Sequence, residues 1–202
     1  MIVVPEQRLA ESLYIEWVGH GYTAADALEM RPAGYNWHLI FTQQAGVLRT
    51  LVVGPLEVAR PLSYTRGAES LWIRFRVGTF MPTVLPTTIL NRETELPEGS
   101  GKKFWLRDRV WEIPTFENAD TFVDHLARKG ALTCDPLVEA ALRDELSDVP
   151  ARTLRHRFRH STGLRQSFIH QIRRAKHAQE LLQQGNPPVN TAHELGYADH
   201  PT

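Results

Sequence analysis

The stretch from residue 151 to residue 185 carries the side chains best suited to bind a polyanion. Its sequence is ARTLRHRFRHSTGLRQSFIHQIRRAKHAQELLQQG, with eight Lys or Arg residues against one acidic residue, Glu180. Arg and Lys side chains bind phosphates, and an Arg can also pair with a guanine edge through two N–H groups. The residue types and their density therefore predict a nucleic-acid-binding element.

Residues 151–160 form the first predicted helix of this stretch, and its two faces differ. At about 100° per residue, Leu154 and Phe158 point toward a core. The other face carries long hydrogen-bond donors: Arg152, Arg155, His156 and Arg159. A recognition helix needs such an apolar back and such a donor front. A solvated basic face is the alternative interpretation of the same pattern.

A second helix is predicted after Ser161-Thr162-Gly163, running to Gln184 with Gly185 placed to end it. Its apolar stripe comprises Leu164, Phe168, Ile169, Ile172, Ala175, Leu181 and Leu182, and its other faces carry Arg165, Arg173, Arg174 and Lys176. A short helix is predicted over residues 189–195. Asp199 is then positioned as the N-cap of a further helix.

Residues 150–202 resemble the C-terminal DNA-binding domain of AraC/XylS-family bacterial transcription regulators. The matching motifs are Arg152-Thr153-Leu154, Arg157-Phe158, Thr162-Gly163-Leu164, Ala178, Glu180-Leu181-Leu182, Gly185, Ala192 and Glu194-Leu195-Gly196-Tyr197-Ala198-Asp199. The resemblance implies two helix–turn–helix units joined by a long linker helix, with a recognition helix from each unit in adjacent major grooves.

The resemblance also assigns roles to individual residues. Arg152, Arg155 and His156 would face base edges, and Arg159 would lie nearer the phosphates. The complete set of predicted DNA-binding residues is Arg152, Thr153, Arg155, His156, Arg159, Arg165, Arg173, Arg174 and Lys176.

Three departures from the family pattern accompany the resemblance. Pro150 stands where the family usually has Ser, so a helix cap is expected from Ser147 or Asp148, or is lost. The segment 136–149 is short for the usual first helix plus positioning helix. The second recognition helix is expected beyond Thr202, which would make the DNA-binding domain incomplete at its C-terminus.

The charge distribution separates the basic block from the rest of the chain. Residues 1–150 hold 15 Lys/Arg and 20 Asp/Glu, whereas residues 151–184 hold eight and one, within a chain of zero formal net charge. A basic block beside an acidic body is typical of a polyanion-binding module joined to another domain. No apolar run is long enough to span a membrane, no signal peptide is recognisable, and the single cysteine, Cys134, fits a reducing compartment. A cytoplasmic protein is expected.

Residues 1–114 read as mostly β, with short strand-like runs separated by turn signals. In the run 70–77, Leu71, Ile73, Phe75 and Val77 alternate with Ser70, Trp72, Arg74 and Arg76. From residue 118 to 129 the period becomes helical, and Asp135 with Pro136 begins another helix. The predicted fold is α+β: a barrel or jelly-roll-like sensor or dimerisation domain (1–114), a helical connector (115–134) and an all-α helix–turn–helix domain (135–202).

The β-rich half offers a weaker candidate site. An effector pocket could be lined by Trp17, Trp37, Trp72, Arg74 and Arg76, although core packing and strand exposure explain these residues equally well. A cupin-type metal centre needs closely spaced His ligands, but His20 and His38 are isolated, so no metal site is predicted. No phosphate-binding loop, nucleophile elbow or Cys pair is present, and neither a cofactor nor a catalytic residue is expected.

The sequence therefore predicts a sequence-specific DNA-binding transcription regulator rather than an enzyme. Its expected partners are double-stranded DNA, a small-molecule effector and a second copy in a homodimer. The alternative is a small-molecule-binding or enzymatic β-barrel, cupin-like, with an incidental basic helical tail.

Overall fold

The strand-rich part of the chain precedes most of its helices. The structure is a computed structural model that describes residues 2–145 and 149–197. In chain order the described strands are β1 (Ile2–Leu9), β2 (Ile15–Thr23), β3 (Ala27–Arg31), β4 (His38–Gln44), β5 (Val47–Val53), β6 (Arg60–Tyr64), β7 (Glu69–Phe75), β8 (Thr79–Phe80), β9 (Glu93–Leu96), β10 (Lys103–Leu106), β11 (Arg109–Glu112) and β12 (Thr133–Cys134).

The described helices are mostly in the C-terminal half. They are α1 (Pro86–Ile89), α2 (Ala119–Arg128), α3 (Pro136–Leu142), α4 (Ala151–Thr162), α5 (Gln166–Gln183) and α6 (Pro188–Glu194). The prediction of a mixed α+β chain with strands first and helices later is confirmed. The short helix α1, which begins at a proline and spans one turn, was not predicted.

Six strands form the main sheet, in the order β1-β2-β7-β4-β5-β9, with antiparallel neighbours throughout. The strand pairs β3–β6, β8–β12 and β10–β11 form three separate ladders. Because β1 and β9 remain as the two edges of the main sheet, the described strands do not close a barrel. The barrel or jelly-roll-like detail of the prediction is therefore not confirmed.

One face of the main sheet forms the hydrophobic core. Leu71, Ile73 and Phe75 of β7 are buried, as their alternation predicted, although the strand ends at Phe75 and not at Val77. Residues of α2 and of the β10–β11 ladder complete this core, including Val123, Leu126, Phe104 and Trp111. The alternating pattern thus identified the correct face of the strand.

Two turns show how local sequence ends these elements. The β4–β5 hairpin turns at Ala45 and Gly46, both with positive φ (49° and 79°), as a two-residue hairpin loop requires. At α3, the Asp135 carboxylate accepts a hydrogen bond from the Leu137 N–H at 3.1 Å, so the predicted N-cap is confirmed.

The chain divides into two compact units, residues 1–164 and 165–202. Helix α4 belongs to the first unit with all the strands, whereas α5 and α6 form the second. None of the helices described in either unit is both long and apolar enough to cross a membrane.

Candidate nucleic-acid interface

Helix α4 matches the predicted recognition helix and extends it by two residues to Thr162. It begins after Pro150 with no side-chain cap, and the predicted capping residues Ser147 and Asp148 lie outside the described residues. The helix ends at Thr162 and is followed by Gly163, which has a φ of 74° and donates its N–H to the Arg159 carbonyl. Gly is favoured at such a position because an added Cβ is strained there.

Helix α4 is amphipathic, with one side buried and the other exposed to solvent. Phe158 is completely buried, and Ser161 and Thr162 are nearly so. Leu154 is half-buried. All four long donors predicted to face nucleic acid are exposed: Arg152, Arg155, His156 and Arg159. Thr153, also predicted to bind DNA, is exposed as well.

Three contacts position α4 against other elements of its unit. Arg157 Nη1 lies 3.5 Å from Oδ2 of Asp135, whose side chain is 4% exposed. The His160 ring meets the Phe80 ring edge-on, with centroids 5.2 Å apart. A Cβ added to Gly163 would lie 3.1 Å from the Pro86 carbonyl carbon, so α4 and α1 approach closely there.

Sequence reasoning did not find these positioning contacts. It identified Asp135 only as a helix cap and gave Arg157 no role beyond the motif match. The carboxylate Oδ2 of Asp135 has no hydrogen-bond partner among the described residues, and the Arg157 guanidinium lies 3.5 Å from it as its ion-pair partner. The two residues are 22 positions apart, a separation for which a single sequence contains no pairing signal.

The predicted phosphate-binding residues of the long helix lie on α5 and at its N-cap. Arg165, Arg173 and Arg174 are exposed and Lys176 is half-buried. The guanidinium carbon of Arg174 lies 4.6 Å from the centroid of the Tyr197 ring, a cation–π contact within the second unit. All four cations belong to the second unit, whereas α4 belongs to the first.

The five predicted effector residues fall into two places. Trp17, Trp72 and Arg74 are partly exposed on the face of the main sheet opposite the core. Arg74 forms a hydrogen bond and an ion pair on this face. Its Nη2 donates to Asn36 Oδ1 at 2.6 Å, and its Nε lies 3.1 Å from Glu16 Oε2.

Trp37 and Arg76 instead line a narrow apolar crevice just beyond the C-terminal end of β7. The Trp37 ring stacks on Phe75 at 3.9 Å, and its Nε1–H donates to the Thr79 carbonyl at 2.7 Å. Ser161 and Thr162 of α4 form part of the wall of this crevice. Two predicted effector residues therefore share a surface with the end of the predicted recognition helix.

A larger cleft lies on the core side of the sheet, and sequence reasoning missed it. It has a volume of about 470 Å³ and an apolar floor that includes Phe41 and Leu71. His20 and Glu6 stand at its rim, with Nδ1 and Oε2 3.5 Å apart. The alternating pattern of β2 marks His20 as part of one sheet face, but only strand pairing places Glu6 beside it.

The remaining reactive groups offer little chemistry. Burial raises the pKa of the Cys134 thiol, which disfavours the nucleophilic thiolate. Within residues 2–145 and 149–197, no three His, Cys, Asp or Glu residues are grouped so that they could hold a metal ion. No protein-family model, no curated protein and no solved structure matches this chain.

Proposed function

We propose that this chain is a DNA-binding transcription regulator whose α4 reads base edges in the major groove. The observation that supports this most directly is the division of α4, with Phe158 fully buried and Arg152, Arg155, His156 and Arg159 all exposed. A helix fixed by one face can present the other to the groove. Each well-placed Arg–guanine pair contributes about 1–3 kcal/mol of discrimination.

The cations of the second unit supply affinity without sequence preference. In this proposal phosphates are bound by the cations of α5 and its N-cap: Arg165, Arg173, Arg174 and Lys176. The resemblance to AraC/XylS-type regulators implies the same role for these residues, which belong to the linker helix. Each phosphate contact releases condensed counterions, so binding weakens as salt is added. α4 and α5 would then act as recognition helix and linker helix of a helix–turn–helix domain.

The strand-rich part is proposed to act as a jelly-roll-like sensing or dimerising module. The contacts Arg157–Asp135 and His160–Phe80, together with the close approach of Gly163 to Pro86, join α4 to it. An effector that displaces α1, α3 or β8 would therefore shift the reading helix. The crevice beside Trp37 and Arg76 is where such a displacement would reach Ser161 and Thr162 directly.

The test is selection of bound sites from a random DNA pool, followed by salt-titrated binding. Arg155→Ala should reduce preference for the selected site over random DNA by about tenfold or more, because a base contact is lost. Arg174→Ala should weaken binding to both DNAs alike and lower the slope of log affinity against log salt by about one. Arg143→Ala, which removes an exposed cation from the end of α3, is the control and should change neither quantity. Equal losses on both DNAs for Arg155→Ala would refute the recognition-helix assignment.

A second candidate function is small-molecule binding by the β-rich part with the basic helices incidental. The cleft beside His20 favours it, since a volume of about 470 Å³ lies in the usual range of ligand sites. A ligand, metal and turnover screen on the full chain would separate the two functions. Saturable ligand binding or turnover that is lost in His20→Ala, with no measurable affinity for any DNA, would favour this candidate.

A further inference from the structure

Two histidines lie side by side on the exposed part of α4. His156 and His160 are four residues apart, and both are exposed. Their rings are parallel to within 5°, with centroids 6.1 Å apart. Residues four apart on a helix share one side, so the two imidazoles are neighbours on the surface of α4.

We propose that His156 and His160 form a two-histidine site for a divalent first-row transition-metal ion such as Cu²⁺, Ni²⁺ or Zn²⁺. Neutral imidazole is the commonest protein ligand for these ions, and two histidines at this spacing on a helix chelate zinc in metalloproteases. Two imidazoles bound at ~2.05 Å to one tetrahedral ion have ring centroids about 5 Å apart. The ring centroids of His156 and His160 are 6.1 Å apart, about 1 Å beyond this separation. A bound ion lies in the plane of each imidazole that ligates it, whereas the two rings are nearly parallel, so the exposed His156 ring must also rotate to another rotamer when the ion binds.

One of the two ligands is already restrained. The His160 ring packs edge-on against Phe80 of β8, at an interplanar angle of 75°. Fixing a ligand side chain before binding reduces the entropy that it loses on binding. The adjacent Gly163, close to Pro86, fixes the same end of the helix.

The surroundings indicate an exchangeable ion rather than a permanent one. No third ligand completes a group in the described part of the chain, so water fills the remaining coordination positions. The exposed Arg152, Arg155 and Arg159 on the same helix repel a cation, although salt screens this repulsion at the surface. Cu²⁺ binds most tightly of the three ions, as the general order of divalent affinities requires.

A bound ion would compete with DNA, because His156 belongs to the proposed reading face. This consequence depends on the proposed function, whereas the metal site itself does not. Metal binding is therefore measured first, on the full chain without DNA.

The experiment is calorimetric titration of the chain with CuCl₂, NiCl₂ and ZnCl₂, with electron paramagnetic resonance of the Cu²⁺ complex. We expect one site tighter than any other, with Cu²⁺ signals split by two nitrogens. His156→Ala and His160→Ala should each weaken that site about 100-fold, since a chelate becomes a single contact. His170→Ala on α5 is the matched control and should leave it unchanged, because Arg174 follows His170 at four residues and cannot bind a metal.

Each outcome of the titrations either supports or overturns the two-histidine site. His156→Ala leaves the His160–Phe80 contact intact, so a loss of metal binding in this variant with an unchanged thermal unfolding midpoint supports the site. Equal affinity in the wild type, His156→Ala and His160→Ala overturns it. An equal loss in His170→Ala overturns it as well. Metal binding as expected, with no effect of the ion on DNA affinity, supports the site and counts against the reading face of α4.

Discussion

Helices α4 and α5 come from the same basic block, but the structure covers their apolar sides to very different extents. Of the 12 residues of α4, Phe158, Ser161 and Thr162 are buried. Of the 18 residues of α5, Ile169 is buried, while Ala175 and Leu182 of its predicted apolar stripe are exposed. A similar composition thus produces an anchored helix in one unit and a largely uncovered one in the other. Charge alone does not show which of the two basic helices is anchored; burial of the side opposite the cations does.

The largest expected difference concerns one phenylalanine on each helix. Phe158→Ala should lower the free energy of unfolding by about 3–5 kcal/mol, because a fully buried ring leaves a cavity. Phe168→Ala, on the half-buried side of α5, should cost about 1–2 kcal/mol. Urea-induced unfolding of the two variants measures both values. If Phe168→Ala proves the more costly, α5 is the better-anchored helix and the comparison is reversed.

The glycines that end the two helices provide a matched pair. Gly163 and Gly185 have positive φ (74° and 88°), so alanine is strained by about 1–2 kcal/mol at either one. A Cβ at Gly163 would also press on the Pro86 backbone at 3.1 Å, whereas a Cβ at Gly185 would meet nothing within 4 Å. Thermal unfolding should therefore show a greater loss for Gly163→Ala, by about 1 kcal/mol or more. Equal losses would show that α4 does not depend on its approach to α1.

Asp135 both caps α3 and pairs with Arg157 of α4, and two substitutions separate these roles. Asp135→Ala removes both and should lower the free energy of unfolding by about 1–2 kcal/mol. Asp135→Asn retains a capping oxygen and loses the negative charge opposite Arg157, so it should cost less than about 1 kcal/mol. Chemical denaturation of both variants gives the two losses. An asparagine variant as unstable as the alanine variant would assign the anchoring to the charge and not to the cap.

The smallest expected effect lies in the second unit. Arg174→Ala removes the cation–π contact with Tyr197, worth about 0.5–1 kcal/mol at an exposed site. The Tyr197 N–H donates to the Ala192 carbonyl at 2.9 Å, so its hydrogen exchange reports local opening of this unit. Exchange should accelerate a few-fold in Arg174→Ala. Arg173→Ala is the control, and exchange as fast in that variant would mean that the loss of charge, not the ring contact, is responsible.

Periodicity predicted the elements well where each element presents one apolar side. The alternation through Leu71, Ile73 and Phe75 predicted the buried face of β7, and the Asp135-Pro136 pair marked the start of α3. The two-residue turn at Ala45 and Gly46 was not predicted, because alanine is rarely found with positive φ and gives no turn signal. Helix α1 was missed since four residues are too few to show a helical period.

The exposed side of α4 was predicted residue by residue, but the spatial arrangement of the other candidate residues was not. Exposure of Arg152, Arg155, His156 and Arg159 follows from helical geometry once Phe158 is buried. The five proposed effector residues were expected in one pocket, yet they lie at two places. The alternation of side chains along β7 places Trp72 on the face opposite the core. Where Trp37 packs depends instead on Phe75 of β7 and Thr79 of β8, which are far from it along the chain.

Local sequence accounts for helices α2 to α6, the buried face of β7, the basic block and the two-sided character of α4, since these depend on residue types at short spacing. Tertiary structure determines which basic helix is anchored, because burial of Phe158 and the pairing of Arg157 with Asp135 need elements far away in the chain. It also places His160 against Phe80, 80 residues earlier, and so restrains one of the two proposed metal ligands. These contacts join residues that are far apart along the chain, and residue spacing in a single sequence does not indicate which distant residues meet.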